Sequence, residues 1–304
     1  MKAYPITVLC AVMRVSRSGF YDYLDRYTSG DDKRSDDPEL TSRIKEIFNR
    51  SRGSYGSRRI LKQLQAEGYE IGRFKVRRIM RQLGLKARTP KRFKLTTDSK
   101  HSFPVAANVL DRKFDVEAPN KVWTADISYV WTFEGWLYLA VVMDLYSRRI
   151  IGWAMNERMK KKLVLDALAM AYWQRKPSEG LLHHSDRGSQ YACHEYQKQL
   201  GFYGMQPSMS RKGNCWDNSP TERFFRSLKS ERLTDCRFFT RNEAKNEILD
   251  YITFYNSIRL HSTLGYLSPM AYEKEQYLTR AMPATQTNIL MERCRALYKM
   301  ILSP

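Results

Sequence analysis

The order of apolar segments in the second half of the chain constrains its fold more than any other feature. Three runs rich in β-branched and aromatic residues come first, at residues 122–130, 136–145 and 149–155. Turn-forming residues at 133–135 and 146–148 separate them. Short strands joined by tight turns pair as an antiparallel meander. The sequence therefore predicts three neighbouring antiparallel strands.

Helical and strand-like segments alternate after this meander. They are a helix, a strand, a helix, a strand and a helix at residues 161–175, 181–185, 190–200, 205–208 and 220–233, with one more long helix at 242–258. This order predicts an α/β fold of the ribonuclease-H-like class, in which helices flank a mixed five-stranded sheet. Because one fold serves many activities, the fold alone does not define the function.

Positive charge is concentrated in one stretch that precedes the predicted sheet. The chain has 52 Lys and Arg against 32 Asp and Glu, which gives a formal net charge of +20. Residues 41–100 alone hold 18 Lys and Arg against 4 Asp and Glu. Such a surplus favours a polyanionic partner, and nucleic acid is the first candidate.

The basic stretch has the pattern of a helix-turn-helix. Ser57 can cap a first helix with an apolar face that includes Ile60 and Leu64, and residues 68–72 interrupt it. A second helix follows, marked by the apolar residues Val76, Ile79, Met80 and Leu83. Its open faces carry the cations Arg73, Lys75, Arg77, Arg78 and Arg81. Such a helix either reads bases or grips phosphates, and a solvated basic helix is the alternative.

These signals divide the chain into five expected segments. They are a short helix-turn-helix-like segment at 1–40, the basic helix-turn-helix at 41–86, a basic linker at 87–119, the ribonuclease-H-like core at 120–275 and a tail at 276–304. Within the first segment we interpret the apolar run 6–13 as a buried helix. The all-helical region is thus expected to precede the sheet.

Other features exclude several classes of protein. No run approaches the about 18 apolar residues that a membrane span needs. The five cysteines are scattered and show no Cys-x-x-Cys pair, so neither a disulfide framework nor a zinc site is indicated. The expectation is a protein of a reducing cytoplasm without a membrane partner.

Three acidic residues lie where the predicted fold gathers ligands. Asp126 falls inside the first strand, a poor place for a carboxylate unless it is exposed or holds a cation. Asp186 follows the fourth strand, where α/β sheets usually bind ligands. Glu222 lies in the first turn of a helix that carries Arg226 and Lys229 on the same face. Converging carboxylates suit Mg²⁺ and two-metal phosphoryl transfer. Arg226 and Lys229 would then contact the DNA backbone.

Several sequence blocks occur in one order along the chain. They are SYGSRR at 54–59, WTADISY at 123–129, MDLYSR at 143–148, HSDRGSQY at 184–191, SRKGNCWDN at 210–218, ERFF at 222–225 and YNSIRLHSTLGY at 255–266. In these blocks the chain resembles the transposases of bacterial insertion sequences that have a retroviral-integrase-type catalytic core. It is most similar to the large second-frame (OrfB) product of the family named after insertion sequence three, over residues 16–272.

The resemblance implies a polynucleotidyl transferase. Asp126, Asp186 and Glu222 would be the DDE ligands of two Mg²⁺ or Mn²⁺ ions. Hydrolysis would expose a 3′ hydroxyl at each end of the element, and this hydroxyl would attack target DNA. Two ends must be brought together, so we expect a homo-oligomer that is at least a dimer.

The resemblance also implies partners. These are the terminal inverted repeats, the target DNA, and a smaller upstream-frame protein (OrfA) or its frameshift fusion. The expected location is the bacterial cytoplasm, in association with the nucleoid. The expected DNA contacts are Arg58, Arg59, Arg73, Lys75, Arg77, Arg78, Arg81, Lys212, Arg226, Lys229 and Arg259.

Some residues have a second interpretation. Asp144 competes with Asp126 as the first acid, but it precedes a turn and is better explained as an acceptor for local amides. His183 and His184 could touch metal, although Mg²⁺ prefers oxygen. Arg259 could instead fix the turn that follows it. Trp216 could stack on a displaced base, and anchoring of its own loop is favoured.

Two other functions also remain open. A different nuclease of the same fold would have no use for the basic helix-turn-helix. A non-catalytic DNA-binding regulator derived from a transposase would not need the three acids, all of which are present. Loss of activity on removal of a carboxylate, with DNA binding retained, separates the transposase from the regulator.

Overall fold

The computed structural model describes residues 5–28, 37–88 and 102–281. Five helices come first: α1 (Ile6–Val12), α2 (Arg17–Thr28), α3 (Pro38–Arg50), α4 (Ser57–Ala66) and α5 (Arg73–Gln82). Helices α3 to α5 form a three-helix unit, residues 37–88, which we call the helical unit. Its core consists of Leu40, Ile44, Ile60, Leu64, Val76 and Ile79, each at most 2% exposed. The expected all-helical region before the sheet is confirmed.

Two details of this region differ from the sequence prediction. Helix α3 was not predicted, although Asp37 accepts a hydrogen bond from the Glu39 amide at 3.0 Å and Pro38 opens the helix. The run at 6–13 forms a helix but is not buried. Only Cys10 of helix α1 is buried, whereas Val12 is 75% exposed. Its apolar residues pack against too few neighbours to form a core.

The sheet has five strands in the order β3-β2-β1-β4-β5. They are β1 (Val122–Thr132), β2 (Gly135–Asp144), β3 (Arg149–Asn156), β4 (Leu182–Ser185) and β5 (Gln206–Met209). Strands β1 to β3 pair as an antiparallel meander, whereas β4 pairs parallel to both β1 and β5. The predicted mixed five-stranded α/β architecture is confirmed.

Helices cover both faces of this sheet. They are α6 (Lys161–Arg175), α7 (Ser189–Ala192), α8 (His194–Phe202), α9 (Ser219–Leu228), α10 (Arg241–Ser257) and α11 (Pro269–Ala281). One apolar cluster joins the sheet to α6 and α8, and the other joins it to α9, α10 and the helical unit. Helix α9 continues into a π-helical turn, Lys229–Leu233. Helix α11 crosses the boundary expected at residue 275, and the tail beyond Ala281 lies outside the described residues.

Close packing of α6 depends on one glycine. A Cβ atom on Gly152 of β3 would collide with the backbone oxygen of Ala167 and with Ala171. The strand and the helix can therefore approach only because this side chain is absent. No helix in the described parts of the chain is long and apolar enough to cross a membrane.

Candidate active site and nucleic-acid interface

Two of the predicted carboxylates lie next to each other, just past the point where strands β1 and β4 stop pairing. Strands β1 and β4 pair in parallel up to Thr124 and His184. Asp126 and Asp186 each lie two residues beyond this last pair, so the register places them level with each other. Each accepts one backbone hydrogen bond at 2.8 Å, Asp126 from Ile127 and Asp186 from Gly188. The backbone thus fixes one oxygen of each carboxylate.

The third carboxylate is tied to strand β1 through the start of helix α9. Asn218 donates its side-chain N–H to the Ala125 oxygen at 3.0 Å and accepts the Thr221 hydroxyl at 3.0 Å. Thr221 also shares a 2.6 Å hydrogen bond with Thr124. All four residues are buried. They hold the helix turn that carries Glu222 beside the strand that carries Asp126, and sequence patterns did not indicate these bonds.

The three carboxylates act electrostatically on one another. Burial raises the pKa of Asp126 well above its usual value, and the charges of Asp186 and Glu222 raise it further. Burial and the charge of Asp186 raise the pKa of Glu222 to about 7. Three acids that disfavour one another's charge form a site where a cation would be stabilised.

The donor chemistry of this site fits a hard divalent cation, because all its ligand atoms are carboxylate oxygens. The side chains do not form a closed ligand set. Among residues 5–28, 37–88 and 102–281, no three His, Cys, Asp or Glu side chains are placed so that they could together hold a metal ion. The strands and helix α9 therefore bring the carboxylates into one field, and ligation would require side-chain adjustment.

Two basic residues follow Glu222 toward the end of helix α9. Arg226 is exposed. Lys229 begins the π-helical turn, and its ammonium lies 5.2 Å from the centre of the Tyr129 ring. Burial lowers the pKa of Lys229, while the charge of Asp126 acts in the opposite sense. Lys229 therefore lies in the field of the Asp126 carboxylate.

The loop before helix α9 is anchored by Asp217, which is fully buried. Its carboxylate accepts two side-chain hydrogen bonds from Arg211 at 2.7 and 2.9 Å, one from Arg112 at 2.8 Å and one from Asn108 at 3.0 Å. The exposure of the Trp216 ring, 68%, argues against the expectation that it anchors this loop. Base stacking stays open for that ring.

The residues with a second interpretation take structural positions. Asp144 is buried and accepts hydrogen bonds from the amides of Asn120 and Tyr146 at 2.9 and 3.0 Å, as expected of an acceptor for local amides. His183 bonds to the Tyr196 hydroxyl at 3.1 Å, and burial lowers its pKa to about 3. His184 lies between the hydroxyls of two serines, at 2.9 Å from Ser208 and 3.1 Å from Ser210.

The expected DNA contacts divide into two groups. Exposed cations on the helical unit and near the site are Arg58, Arg73, Lys75, Arg77, Arg81, Lys212 and Arg226, with Arg78 and Lys229 half-buried. Arg259 does not belong with them, because it is 4% exposed and pairs with Glu231 at 2.7 and 2.8 Å. Arg59 is half-buried and reaches the same carboxylate at 3.3 Å. Because Arg59 and Arg259 both bond to Glu231 within the protein, they are not expected to contact DNA.

Comparison with known protein families agrees with this architecture. An integrase core domain family matches residues 116–215, a second integrase core domain family matches 222–277, and an HTH-like domain family matches 35–93. The fold and these matches define an integrase-core protein with a helix-turn-helix region.

Similar proteins narrow the class. An uncharacterized 31 kDa protein of insertion element IS600 from Shigella sonnei is 45% identical over 270 residues, which cover 88% of this chain and 98% of that protein. Transposase InsF for insertion sequence IS3A from Escherichia coli (strain K12) is 40% identical over 273 residues, 90% of this chain and 95% of that protein. The chain therefore belongs to the IS3 family of insertion-sequence transposases, as its sequence blocks predicted.

Solved structures with low sequence identity also match. The HTLV-2 integrase catalytic core domain in complex with magnesium is 17% identical, with a TM-score of 0.40 over 51% of this chain and 97% of that chain. A simian T-cell lymphotropic virus intasome in complex with a PP2A regulatory subunit is 14% identical, with a TM-score of 0.42 over 72% of this chain and 70% of that chain.

Proposed function

We propose that this chain is a DNA transposase whose Asp126, Asp186 and Glu222 hold the divalent metal for DNA cleavage and strand transfer. The observation that carries the proposal is that these three carboxylates lie in one another's electrostatic field, where burial and the neighbouring acids raise the pKa values of Asp126 and Glu222. Membership of the transposase family supports the same reaction class. A regulator without chemistry would gain nothing from burying acids of like charge.

We propose Mg²⁺ or Mn²⁺ as the metal, with two ions in the site. When bound, the ions would activate the attacking oxygen and stabilise the leaving oxygen of the phosphodiester. The protein residues supply the ligands and their orientation. Asp126 and Asp186 each have one oxygen held by a backbone hydrogen bond, which orients the carboxylate. Glu222, with a pKa of about 7, would release a proton at neutral pH as the cation binds.

The exposed cations would hold the substrate. Arg73, Lys75, Arg77 and Arg81 lie along helix α5 and would contact phosphates of the terminal repeats or the target DNA. Near the carboxylates, Lys229, Arg226 and Lys212 would contact the phosphates next to the reacting bond. We further propose that the active complex is at least a dimer, that the upstream-frame protein or its fusion takes part, and that the complex acts on DNA in the cytoplasm.

A strand-transfer assay tests the proposal. A labelled duplex copied from the DNA that flanks this gene is incubated with a plasmid target, with the upstream-frame protein added. We expect joined product from the unaltered chain only when Mg²⁺ or Mn²⁺ is present, and none from Glu222→Gln. Asp166→Asn is the matched control, because it removes a carboxylate that pairs with Lys162 on the surface of α6.

DNA binding and strand joining are measured separately. DNA affinity should be retained in Glu222→Gln, since this carboxylate does not bind phosphate directly. Joining by Glu222→Gln at the rate of Asp166→Asn would contradict the proposed site. Binding by all proteins with joining by none would favour the DNA-binding regulator instead.

A further inference from the structure

A buried ion cluster lies outside the candidate active site. Its centre is Glu231, which is 7% exposed. The Glu231 carboxylate accepts two hydrogen bonds from Arg259, at 2.7 and 2.8 Å, and one from the Tyr251 hydroxyl at 2.9 Å. Arg59 of the helical unit donates the fourth, at 3.3 Å. We call these four residues the Glu231 cluster. It joins the core to the helical unit through one carboxylate.

Further polar contacts around this cluster also join the helical unit to the core. Tyr55 of the helical unit accepts the Leu260 amide on its hydroxyl at 2.7 Å. Arg52 pairs with Glu247 at 2.6 Å and Asp250 at 3.1 Å on helix α10. The apolar residues of the helical unit also share one continuous cluster with strand β2 and helices α9 and α10. The helical unit is therefore docked on the core over a mixed polar and apolar surface.

The docked surface leads directly to the candidate active site. Glu231 lies in the π-helical turn Lys229–Leu233, which continues helix α9 without a break. That helix carries Glu222 in its first turn, nine residues earlier and about 13 Å away at the usual rise of a helix. The same turn carries Lys229, which lies in the field of Asp126. A shift of the helical unit at this contact would therefore move the helix that carries Glu222.

The chemistry of the contact suits positioning more than stabilisation. Apolar packing is non-directional, so it would let the helical unit settle in several orientations. Charge-assisted hydrogen bonds fix direction. Buried ion pairs contribute little net stability because both charges lose water. A carboxylate with four donors from three segments therefore acts mainly by fixing how those segments are oriented.

We infer that Glu231 is a positioning residue, which with Arg59 and Arg52 docks the DNA-binding helices in one orientation relative to the active-site carboxylates. The inference rests on the proposed DNA chemistry of the core. Its consequence is that the protein fixes the distance from the DNA sequence bound by α5 to the phosphodiester that is cut. Loss of docking would leave DNA binding by α5 intact and misplace the cut.

A charge swap at the edge of the surface tests this. Arg52→Glu repels Glu247 and Asp250 of helix α10. The charge swap combines Arg52→Glu with Glu247→Gln and Asp250→Arg, which removes the nearer repulsion and restores attraction between positions 52 and 250. Arg59→Met removes the helical unit's bond to Glu231 and keeps the alkyl chain. Lys45→Glu is the matched control, because it makes the same charge change at an exposed position of α3. Thermal unfolding establishes that each variant is folded.

The first readout does not need activity. Each substitution is placed in an Asp186→Asn background, and hydroxyl-radical footprints are taken on the duplex copied from the flanking DNA. We expect one continuous footprint from the Asp186→Asn parent, the Lys45→Glu variant and the charge swap. We expect Arg52→Glu and Arg59→Met to keep the part protected by the helical unit and to lose the part protected by the core.

The second readout is the position of the cut in otherwise active protein, mapped to the nucleotide. We expect one position in the unaltered chain, and in Arg52→Glu a spread over neighbouring positions with cleavage at least about tenfold slower, because a displacement on the order of 1 Å can cost about 100-fold. Unchanged footprints and cut positions in both Arg52→Glu and Arg59→Met would overturn the inference. Absence of cutting by the unaltered chain, with the footprints as expected, would refute the proposed function and leave the docking established.

Discussion

Replacement of Arg259 by Met separates two roles for this residue, a DNA contact and an internal ion pair. In the structure its guanidinium gives two hydrogen bonds to Glu231 and lies 5.4 Å from the Tyr255 ring centre. Glu231 and the ring of Tyr255 are both buried. Met keeps most of the alkyl packing but removes the charge. The carboxylate of Glu231 then stays buried with fewer partners.

The expected loss of stability follows from this loss of partners. Removal of one member of a buried ion pair destabilises a protein by about 3–5 kcal/mol. Glu231 retains the Tyr251 hydroxyl at 2.9 Å and Arg59 at 3.3 Å, so we expect the lower end, about 3 kcal/mol. Addition of Glu231→Gln to Arg259→Met removes the buried negative charge that has lost its closest partner. We expect this double variant to be more stable than Arg259→Met alone.

Urea unfolding, followed by circular dichroism, measures the free energy of unfolding of these variants. DNA affinity is measured in parallel at a temperature where Arg259→Met is folded. We expect the affinity to match that of the unaltered chain. The reasoning would be refuted by a loss of stability below about 0.5 kcal/mol, the range of ordinary surface substitutions. A weaker salt dependence of DNA binding would instead return Arg259 to the DNA-contact set.

Three further predictions address packing, pH and the exposed loop. Gly152→Ala should lower the free energy of unfolding by about 1–3 kcal/mol, because the new methyl group collides with the Ala167 oxygen; thermal unfolding measures this. His183 has its pKa lowered from 6.5 to about 3 by burial, so the unfolded chain binds the proton more tightly. Stability should therefore fall as the pH drops from about 6.5 toward 4, and urea midpoints should show a shallower fall in His183→Gln. Trp216→Ala should leave unfolding within about 0.5 kcal/mol of the unaltered chain, since its ring is exposed, and a larger loss would show that the ring anchors its loop.

Sequence patterns predicted the sheet well, since its strands are short apolar runs bounded by turn residues. Segment 161–175 was predicted as a helix with the bounds that α6 has in the structure. Segment 190–200 was predicted as one helix but forms two, α7 and α8, because Cys193 between them has an extended backbone. Helix α3 was missed although the Asp37-Pro38 start signal was available.

The order of the three acids along predicted elements indicated the candidate site, and the register of β1 and β4 agrees with it. The bonds that position the site could not be predicted from local patterns. Arg112 and Asp217 are 105 residues apart, and Arg59 and Glu231 are 172 residues apart. Local sequence patterns also could not predict which arginines are exposed, because a buried arginine beside Glu231 and an arginine on an exposed helix face are the same residue type. Only the tertiary structure distinguishes Arg259 from Arg226.

Binding of Mn²⁺ to the chain in the presence of its DNA tests the central claim most directly. Electron paramagnetic resonance measures free Mn²⁺ in a titration and needs no turnover. We expect the unaltered chain and the Asp166→Asn control to bind Mn²⁺ alike, and Asp126→Asn, Asp186→Asn and Glu222→Gln each to weaken or abolish binding. Equal Mn²⁺ binding by all five proteins would contradict the assignment of these three carboxylates as the metal site.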